Sequence, residues 1–408
     1  MTDNTREHVP APMSGLVVID AASVIAGPMV GTLLGDYGAR VLTIEEPGTG
    51  DSARSGLGPN WSLWRFYARN KESITCKLST PEGAELFKRL IAKADVLIEG
   101  FRPGRFESWG LSYAELSAIN PRLVMLRISG FGQTGPYSSR PGYGTIAESM
   151  GGLPYVTGDP EGPPALPGIP IADVMTGFAG LSAALMALWS RERTGRGAEI
   201  DISLYGAMLY QMGPTIIESD LMGMSVERRG NQLAWIPSTG RNRSLRDAQL
   251  CRDGKWVAYS VVARGIQQRV MDFLAAHSTD PRAQAFDTAD WRGAVETAND
   301  LLKDWIATQD RDDVLAALNA AEIPIAPIYS SLEILEDPHF LARGEFIEGR
   351  DPDGRRYRMP IAPFRIDGRL PRPKVRTPDL GEHNTAVWHD WLGVDPGELA
   401  RLADIGAI

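Results

Sequence analysis

The sequence predicts an α/β protein whose larger part is a doubly wound parallel sheet with helices on both faces. Short apolar strands alternate with helices along the first half of the chain, the strands being Leu16–Asp20, Val41–Glu45, Val96–Glu99 and Leu123–Ser129. A helix begins at Pro81, with Thr80 as its cap and Glu82 facing its dipole. Strands joined through helices pair in parallel. Such sheets bind ligands beyond the carboxyl ends of their strands, where loops 23–28, 46–50, 100–104 and 130–135 fall.

The second half of the chain predicts a smaller α+β domain followed by an extended segment. Residues 226–324 mix a hairpin-like stretch with helices near 266–275 and 294–308. From 327 to 408 the chain becomes Pro-rich, and a segment without a core of its own is expected to lie across another domain or subunit. We therefore expect the larger domain to occupy 14–222 and the smaller one 226–324.

Composition and charge argue against several classes of protein. The chain has 408 residues and a net charge of -9, which argues against binding to nucleic acid. Its two cysteines indicate neither a disulfide framework nor a cysteine-rich metal site, and its five histidines have no metal-ligand spacing, so no metal is expected. The first twelve residues are polar, and no apolar run is expected to reach the length of a membrane span. These features predict a soluble cytoplasmic protein without a membrane partner.

One carboxylate is the strongest candidate for a nucleophile. Asp173 precedes the uncharged run Val174–Trp189, which predicts a helix buried on most of its sides. Asp173 then lies at the N-cap or in the first turn, where free N–H groups and the helix dipole stabilise an anion. A plain helix cap is the alternative role. The sequence carries no signature of a Ser or Cys nucleophile with a His base, so a carboxylate is the better candidate.

Two basic segments predict a site for an anionic ligand such as a nucleotide phosphate. Arg65, Arg69 and Lys71 precede one strand, and Arg102 and Arg105 follow another. Solvated surface side chains are the alternative. The glycine patterns of dinucleotide-binding folds and P-loops do not occur, so an NAD(P)-dependent oxidoreductase is poorly supported.

Two further features each have a chemical and a structural interpretation. The glycine-rich loop 130–135 follows a strand, and it could present backbone N–H groups to an oxyanion or form a plain turn. Glu45 ends another strand, where it could bind a ribose or be an exposed acid at the strand end. The residues alone leave both pairs open.

Several short motifs follow one another over nearly the whole chain. They are LVVID at 16–20, AGP at 26–28, LGDYGARVLTIE at 34–45, PGTGD at 47–51, NK at 70–71, ADVLIEGFRPG at 94–104, NPRLV at 120–124, ISGFGQTGP at 128–136, Asp173 with its helix, TGRG at 194–197 and DLGEH at 379–383. In this order and spacing they resemble the class III CoA-transferase family, the group of formyl-CoA transferase and carnitine CoA-transferase.

The resemblance implies a mechanism and an architecture. Asp173 matches the family's catalytic aspartate, which attacks an acyl-CoA and then carries CoA as an aspartyl-CoA thioester. Acyl-CoA and a carboxylic acid would be the substrates, and no tightly bound cofactor is implied. The family fold is a Rossmann-like large domain built from both chain ends, with a smaller inserted domain. Two subunits interlock as rings, so we expect a homodimer and a C-terminal segment 327–408 that returns to the large domain.

The resemblance also implies which residues surround the substrates. Those expected to hold CoA are Ile25, Ala26, Arg69, Lys71, Gly100, Phe101, Arg102 and Arg105. Those expected at the substrate or its oxyanion are Gly130, Phe131, Gly132, Gln133 and Tyr143. Tyr210, Met212 and Trp235 are further pocket candidates, with ordinary packing as the alternative for each.

The chain departs from the family pattern at positions that bear on activity. Thr43 and Ser108 stand where the family usually has Lys and commonly has Arg, and Gly144 stands where it frequently has Asp. A CoA-binding protein without efficient transfer is therefore one alternative. The family also contains α-methylacyl-CoA racemases, which need a His and an Asp across the substrate. Tyr143 occupies the place of that His, which disfavours a racemase.

Overall fold

The computed structural model describes residues 10–54, 61–234, 245–350, 354–371 and 373–408. The strands are β1 Val17–Ala21, β2 Arg40–Glu45, β3 Glu72–Thr75, β4 Val96–Glu99, β5 Val124–Ser129, β6 Ala198–Ser203, β7 Leu245–Leu250, β8 Trp256–Val261, β9 Ile325–Pro327, β10 Phe346–Arg350 and β11 Arg356–Pro360. The helices of the first half are α1 Ala26–Asp36, α2 Trp61–Ala68, α3 Pro81–Ile91, α4 Arg105–Ser108, α5 Tyr113–Ile119, α6 Gly144–Met150, α7 Leu153–Val156, α8 Ile171–Thr194 and α9 Leu204–Gln211. They are followed by α10 Gly213–Met222, α11 Arg264–His277, α12 Trp291–Ala307, α13 Arg311–Ala320, α14 Ser331–Glu336, α15 Pro338–Arg343 and α16 Pro396–Asp404, with a 3-10 helix at Pro281–Gln284 and a π-helix at Thr385–Trp391.

The chain divides into two compact units. The larger unit comprises the described residues up to Gly152, together with Pro167–Gln211 and Arg343–Ile408. The smaller unit comprises Leu153–Leu166 and Met212–Ala342, which is a wider range than the 226–324 expected from the sequence. The additional residues are Leu153–Leu166 and the parts of the chain that contain α10 and α14. Residues from 343 onward belong to the larger unit.

A six-stranded parallel sheet forms the centre of the larger unit, which confirms the predicted α/β class. Its strand order is β3-β2-β1-β4-β5-β6, so the order reverses between β1 and β4. Helices cover both faces. Leu126 of β5 faces α8, since a Cβ atom at Gly180 would lie 3.5 Å from it, whereas the neighbouring Met125 belongs to the core that includes Phe87 of α3.

Two glycines let α8 pack closely against α1. A Cβ atom at Gly177 would lie 2.7 Å from the sulfur of Met29, and one at Gly180 would lie 2.9 Å from Cγ2 of Val30. Both distances are too short for a side chain, so glycine is required for this approach. The close packing sets the start of α8 beside the sheet.

The helix α8 is buried on one face only, so the prediction of burial on most sides is wrong. Ala172, Gly177 and Ala184 lie on the buried face, whereas Met186 is 71% exposed and Trp189 is 68% exposed. The helix is long and apolar enough to cross a membrane by length and composition, contrary to the expectation that no run would be. The sequence does not indicate which face of α8 is buried and which is exposed, because apolar residues occupy both faces.

The C-terminal part is more structured than its proline content predicts. It forms the hairpin β10–β11, the π-helix and α16. Val387, Trp388 and Leu402 are buried in the main core of the larger unit, so this part does belong to a packed core. The smaller unit has its own antiparallel sheet, β7-β8-β9, and a core that includes Tyr259 and Phe273.

Candidate active site

The carboxylate of Asp173 lies in the first turn of α8, directly against the backbone of α6. Pro170 caps α8, and Asp173 is its third residue. A Cβ atom at Gly144, the first residue of α6, would lie 2.0 Å from Oδ2 of Asp173. The carboxylate therefore occupies space that any other residue at position 144 would fill.

Burial rather than the helix dipole dominates the electrostatics of this carboxylate. Desolvation raises the pKa of Asp173 to about 6, and the nearby charge of Glu148 adds to the rise, while the backbone N–H of Asp173 opposes it. The sequence predicts that the helix dipole stabilises the anion, whereas burial shifts the pKa of Asp173 in the opposite direction. Asp173 is still largely ionised at neutral pH, with greater basicity than an ordinary aspartate.

Two glycines bring the predicted substrate loop to the start of α6. A Cβ atom at Gly130 would lie 2.7 Å from Cα of Gly142, and one at Gly142 would lie 2.9 Å from Cα of Gly130. The backbone after β5 thus crosses the segment that leads to Tyr143 and Gly144. Tyr143 immediately precedes α6 and is 73% exposed, so the sequence-predicted Gly130 and Tyr143 converge on the region of Asp173.

Three of the buried polar atoms that lack a hydrogen-bond partner among the described residues lie on β5, on the loop after it and on α8. They are Oγ of Ser129, Nε2 of Gln133 and Oγ1 of Thr176, the last one turn beyond Asp173 on α8. The backbone N–H of Gln133, by contrast, donates to both carboxylate oxygens of Asp201 at 3.0 and 2.9 Å, so it is not free for an oxyanion. Buried polar groups without partners are rare and are typical of sites that bind a polar ligand.

A cleft with a volume of about 330 Å³ lies beyond the carboxyl ends of the central strands. It spans the point between β1 and β4 where the strand order reverses, the usual ligand position in such sheets. Its lining residues come from the ends of β1 and β2, from the segments that follow β1 to β4, and from the residue after α4: Ala21, Ala22, Ser23, Ile44, Glu45, Glu46, Gly50, Asp51, Ser52, Cys76, Leu78, Ser79, Gly100, Phe101 and Trp109.

Phe101 is held at this cleft by a partly buried ionic network. Its backbone N–H donates to Glu99 at 2.7 Å, and its ring packs edge-on against Trp109 with centroids 5.0 Å apart. Arg127 binds Glu99 at 2.8 Å and Glu107 of α4 at 2.7 Å. Burial raises the pKa of Glu99 to about 7 even though Arg127 opposes the rise. The sequence gives no signal for this network, since its members are separated along the chain.

The predicted basic residues fall into two groups. Arg102 and Arg105 are exposed beside Phe101 and form no ion pair among the described residues. Arg69 and Lys71 are buried instead, with Arg69 2.6 Å from Asp36 and Lys71 2.7 Å from Asp20. The geometry therefore argues against the phosphate contacts expected of Arg69 and Lys71, because their charges are already compensated inside the protein.

Glu45 likewise lies inside an ionic cluster. It is 3% exposed, binds Arg54 at 2.6 Å and accepts a hydrogen bond from Ser73 at 2.6 Å. The carboxylate is therefore not an exposed acid at the strand end, and its oxygens already bind Arg54 and Ser73. Arg65 lies over the ring of Tyr357 at 4.4 Å.

The turn that leads into α1 has a strained backbone, and a hydrogen bond to Asp51 holds it in place. Val24 has φ of 69°, a conformation that valine rarely adopts, and its N–H donates to Asp51 at 3.2 Å. Ile25 and Ala26 follow it and are buried at the start of α1. Strain of this kind persists where a binding loop is over-determined by its surroundings.

Of the remaining pocket candidates, Tyr210 is 85% exposed on α9 and Met212 is buried in the smaller unit. Trp235 lies outside the described residues. Among the residues that the structure describes, no group of three or more His, Cys, Asp and Glu side chains could hold a metal ion.

Comparison with known proteins identifies the family. The profile of CoA-transferase family III matches residues 13–384. The chain belongs to CoA-transferase family III. It is 37% identical to the succinyl-CoA–D-citramalate CoA-transferase of Chloroflexus aurantiacus over 405 residues, covering 98% of each chain. It is 36% identical over 411 residues to the beta subunit of the succinyl-CoA–L-malate CoA-transferase of that organism, covering 96% of each. A CAIB/BAIF family protein from Brucella suis, of known crystal structure, is similar with a TM-score of 0.78, 32% identity, and coverage of 94% of this chain and 100% of that one.

Membership of this family confirms the resemblance drawn from the motifs and assigns the general activity. The protein is a CoA-transferase that moves CoA between an acyl-CoA and an acid. The site around Asp173 and the cleft at the strand ends belong to the same unit, and both lie within the matched residues. The oxidoreductase alternative is thereby excluded.

Proposed function

We propose that the protein transfers CoA through a covalent aspartyl-CoA thioester on Asp173. The observation that carries the proposal is the carboxylate of Asp173, seated in the space left by Gly144 with its pKa raised to about 6 by burial. Such a carboxylate is ionised at neutral pH yet more basic than usual, which suits a nucleophile. The position also matches the aspartate expected from the motif order.

The reaction consists of two halves that mirror each other. The Asp173 carboxylate attacks the thioester carbonyl of the acyl-CoA, giving a mixed anhydride and CoA thiolate. The thiolate attacks the aspartyl carbonyl of the anhydride, which forms the aspartyl-CoA thioester and releases the donor acid as its carboxylate. The acceptor carboxylate then attacks the aspartyl thioester, and the CoA thiolate released attacks the acceptor's carbonyl in the new anhydride. The new acyl-CoA leaves and Asp173 is regenerated as a carboxylate.

We assign CoA to the cleft at the ends of β1 to β4. Phe101 and Trp109 offer aromatic surface to the adenine, and Gly100 allows close approach of the backbone. The exposed guanidinium groups of Arg102 and Arg105 lie beside Phe101 and are suited to phosphate oxygens. Arg69 and Lys71 support the cleft indirectly, since their ion pairs tie its elements together.

The unpartnered polar atoms near the loop after β5 suit the acyl and acid groups. The side-chain amide of Gln133 and the hydroxyls of Ser129 and Thr176 are donors that could hold a developing oxyanion or a second carboxylate. Relatives are named for succinyl-CoA with D-citramalate or L-malate. We therefore propose succinyl-CoA as donor and a short dicarboxylic acid as acceptor.

The exposed apolar side of α8 and α9 supports a homodimer. Met186, Trp189 and Tyr210 are 71%, 68% and 85% exposed, and Leu209 is 47% exposed beside them. Large apolar side chains grouped on a surface usually mark an interface. We propose that a second copy of the chain covers this side.

A transfer assay tests the proposal. Succinyl-CoA is offered with D-citramalate, L-malate, glutarate and acetate, and the acyl-CoA products are separated by chromatography. We expect transfer to at least one dicarboxylate, and loss of transfer in Asp173→Asn with CoA affinity nearly unchanged. CoA binding without transfer to any acid would favour the alternative of a binding protein. Solvent deuterium entering the α-carbon of a 2-methylacyl-CoA would favour a racemase.

A further inference from the structure

Glu148 is a buried carboxylate for which the proposed reaction has no role. It is 2% exposed on α6, and it forms no ion pair among the described residues. Oε1 of Glu148 accepts a hydrogen bond from the backbone N–H of Ala172 at 3.1 Å. An ionised carboxylate without a cation is costly to bury, so its presence calls for a physical reason.

The position of Glu148 relates it directly to Asp173. Gly144 and Glu148 are four residues apart on α6 and therefore lie on the same face of that helix. Gly144 leaves room for Oδ2 of Asp173, and Glu148 accepts a hydrogen bond from the N–H of Ala172, the residue that precedes Asp173. On this face of α6, the missing side chain of Gly144 makes room for the Asp173 carboxylate, and the carboxylate of Glu148 lies one turn later against the start of α8.

We propose that Glu148 is a positioning residue for the nucleophile. Its carboxylate accepts the hydrogen bond of the Ala172 N–H at the start of α8 and places a second negative charge beside Asp173. This inference rests on the proposed nucleophilic role of Asp173. The N–H that Glu148 accepts is one of those left free at a helix start, so it cannot also stabilise the Asp173 anion.

Two consequences follow for the chemistry. The second charge and the occupied N–H make Asp173 more basic, and a more basic carboxylate is the stronger nucleophile. Acylation of Asp173 also removes its charge, because both the anhydride and the aspartyl-CoA thioester are neutral at that carbonyl. The repulsion between the two carboxylates is then relieved, which favours the covalent intermediate over the free enzyme.

The other charged or titratable groups near Asp173 are placed differently. Tyr67 of α2 has its pKa raised by burial and by the charge of Asp173, so it stays neutral near pH 7. Arg69 follows α2, but it is paired with Asp36 at 2.6 Å, and the two charges compensate each other. Glu148 is the group that acts on Asp173 with a charge of the same sign.

The variant Glu148→Gln tests the proposal, because it keeps an oxygen for the Ala172 N–H and removes the charge. The rate of aspartyl-CoA formation with succinyl-CoA is measured from pH 5 to 9 by rapid quench and intact mass. At low pH the rate falls as Asp173 becomes protonated, and we call this part of the pH–rate profile the acid limb. We expect the midpoint of the acid limb to move to a lower pH by about one unit, the usual effect of a neighbouring charge. At pH 8 we expect formation about threefold slower, for a Brønsted slope of about 0.5, and a smaller fraction of adduct at equilibrium.

Two variants serve as controls. Glu148→Asp retains the charge and is expected to keep the acid limb near that of the native enzyme. Glu115→Gln removes a carboxylate that caps α5 away from the site, and it is expected to leave the profile unchanged. An acid limb in Glu148→Gln that coincides with the native one would overturn the role of Glu148 while leaving Asp173 as nucleophile. Absence of adduct in the native enzyme would overturn the proposed function and this inference together.

Discussion

The backbone of Gly144 and the carboxylate of Asp173 occupy adjoining space, since a Cβ atom on Gly144 would lie 2.0 Å from Oδ2 of Asp173. No side chain can be added at position 144 unless the carboxylate moves. We expect Gly144→Ala to displace Asp173 and to lower kcat by about 100-fold, the effect of misplacing a reacting group by about 1 Å. Steady-state kinetics with succinyl-CoA would measure this loss.

Gly168→Ala is the matched control for that substitution. Gly168 lies in the loop before α8, and a Cβ atom there would meet nothing within 4 Å. We expect the control to retain native kcat and melting temperature. Native activity in Gly144→Ala would show that the carboxylate does not need the position described here.

The stability of the protein should depend on the ionisation of Asp173. Its pKa is raised in the folded state from 3.8 to about 6, so the folded protein binds more protons than the unfolded chain between these values. The free energy of unfolding therefore falls as pH rises from about 4 to about 6. We expect Asp173→Asn to be more stable than the native protein at pH 8 by roughly 3 kcal/mol, and equally stable near pH 3.

Thermal melts at pH 3, 6 and 8 measure this difference. The exposed Asp404→Asn serves as a control, and its melting temperature should follow the native value at each pH. If Asp173→Asn melts at or below the native temperature at pH 8, the carboxylate is not held in the desolvated state described.

The two groups of basic residues should behave differently on substitution. Removing the charge of Lys71 with Lys71→Met leaves Asp20 buried without its partner, so we expect a loss of about 3–5 kcal/mol in stability. The double variant Arg102→Ala/Arg105→Ala should instead raise the KM for acyl-CoA several-fold and leave the melting temperature unchanged, since both side chains are exposed. The reverse pattern would restore Lys71 as a CoA contact.

The network around Arg127 should control the affinity for acyl-CoA. Arg127 binds Glu99 and Glu107 at once, a geometry that the single ammonium of lysine cannot reproduce. We expect Arg127→Lys to loosen the segment that holds Phe101 and to raise the KM for acyl-CoA about fivefold, with a smaller effect on kcat. Arg122→Lys, in an exposed pair with Glu192, should change neither constant. An unchanged KM in Arg127→Lys would contradict this role.

Much of the fold could be predicted because its signals are local. The strand Val96–Glu99 has the predicted bounds, and Thr80 caps its helix by accepting a hydrogen bond from the N–H of Gly83. Alternation of apolar strands with capped helices is enough to specify a parallel sheet. The burial of Trp388 was hidden, because Pro-rich sequence precedes it and its packing partners lie far away in the chain.

The charges of the site show where sequence reasoning fails. Lys71 and Asp20 are 51 residues apart, so their buried pairing has no local signal and Lys71 looks like a surface cation. Asp173 could be chosen from its place before an apolar helix, but the direction of its pKa shift depends on burial and on Glu148. Gly144 is visible in the sequence as a departure from the family pattern, whereas its close approach to the Asp173 carboxylate becomes apparent only in three dimensions.

The central claim is the covalent aspartyl-CoA thioester on Asp173, and intact mass spectrometry tests it most directly. Native protein and Asp173→Asn are each mixed with succinyl-CoA, quenched in acid and weighed, with and without hydroxylamine. We expect the native protein to gain the mass of one CoA less one water, to lose it to hydroxylamine, and to carry the resulting hydroxamate on the peptide containing Asp173; Asp173→Asn should gain nothing. A native protein that transfers CoA without such an adduct, or that carries it on another residue, would contradict the account.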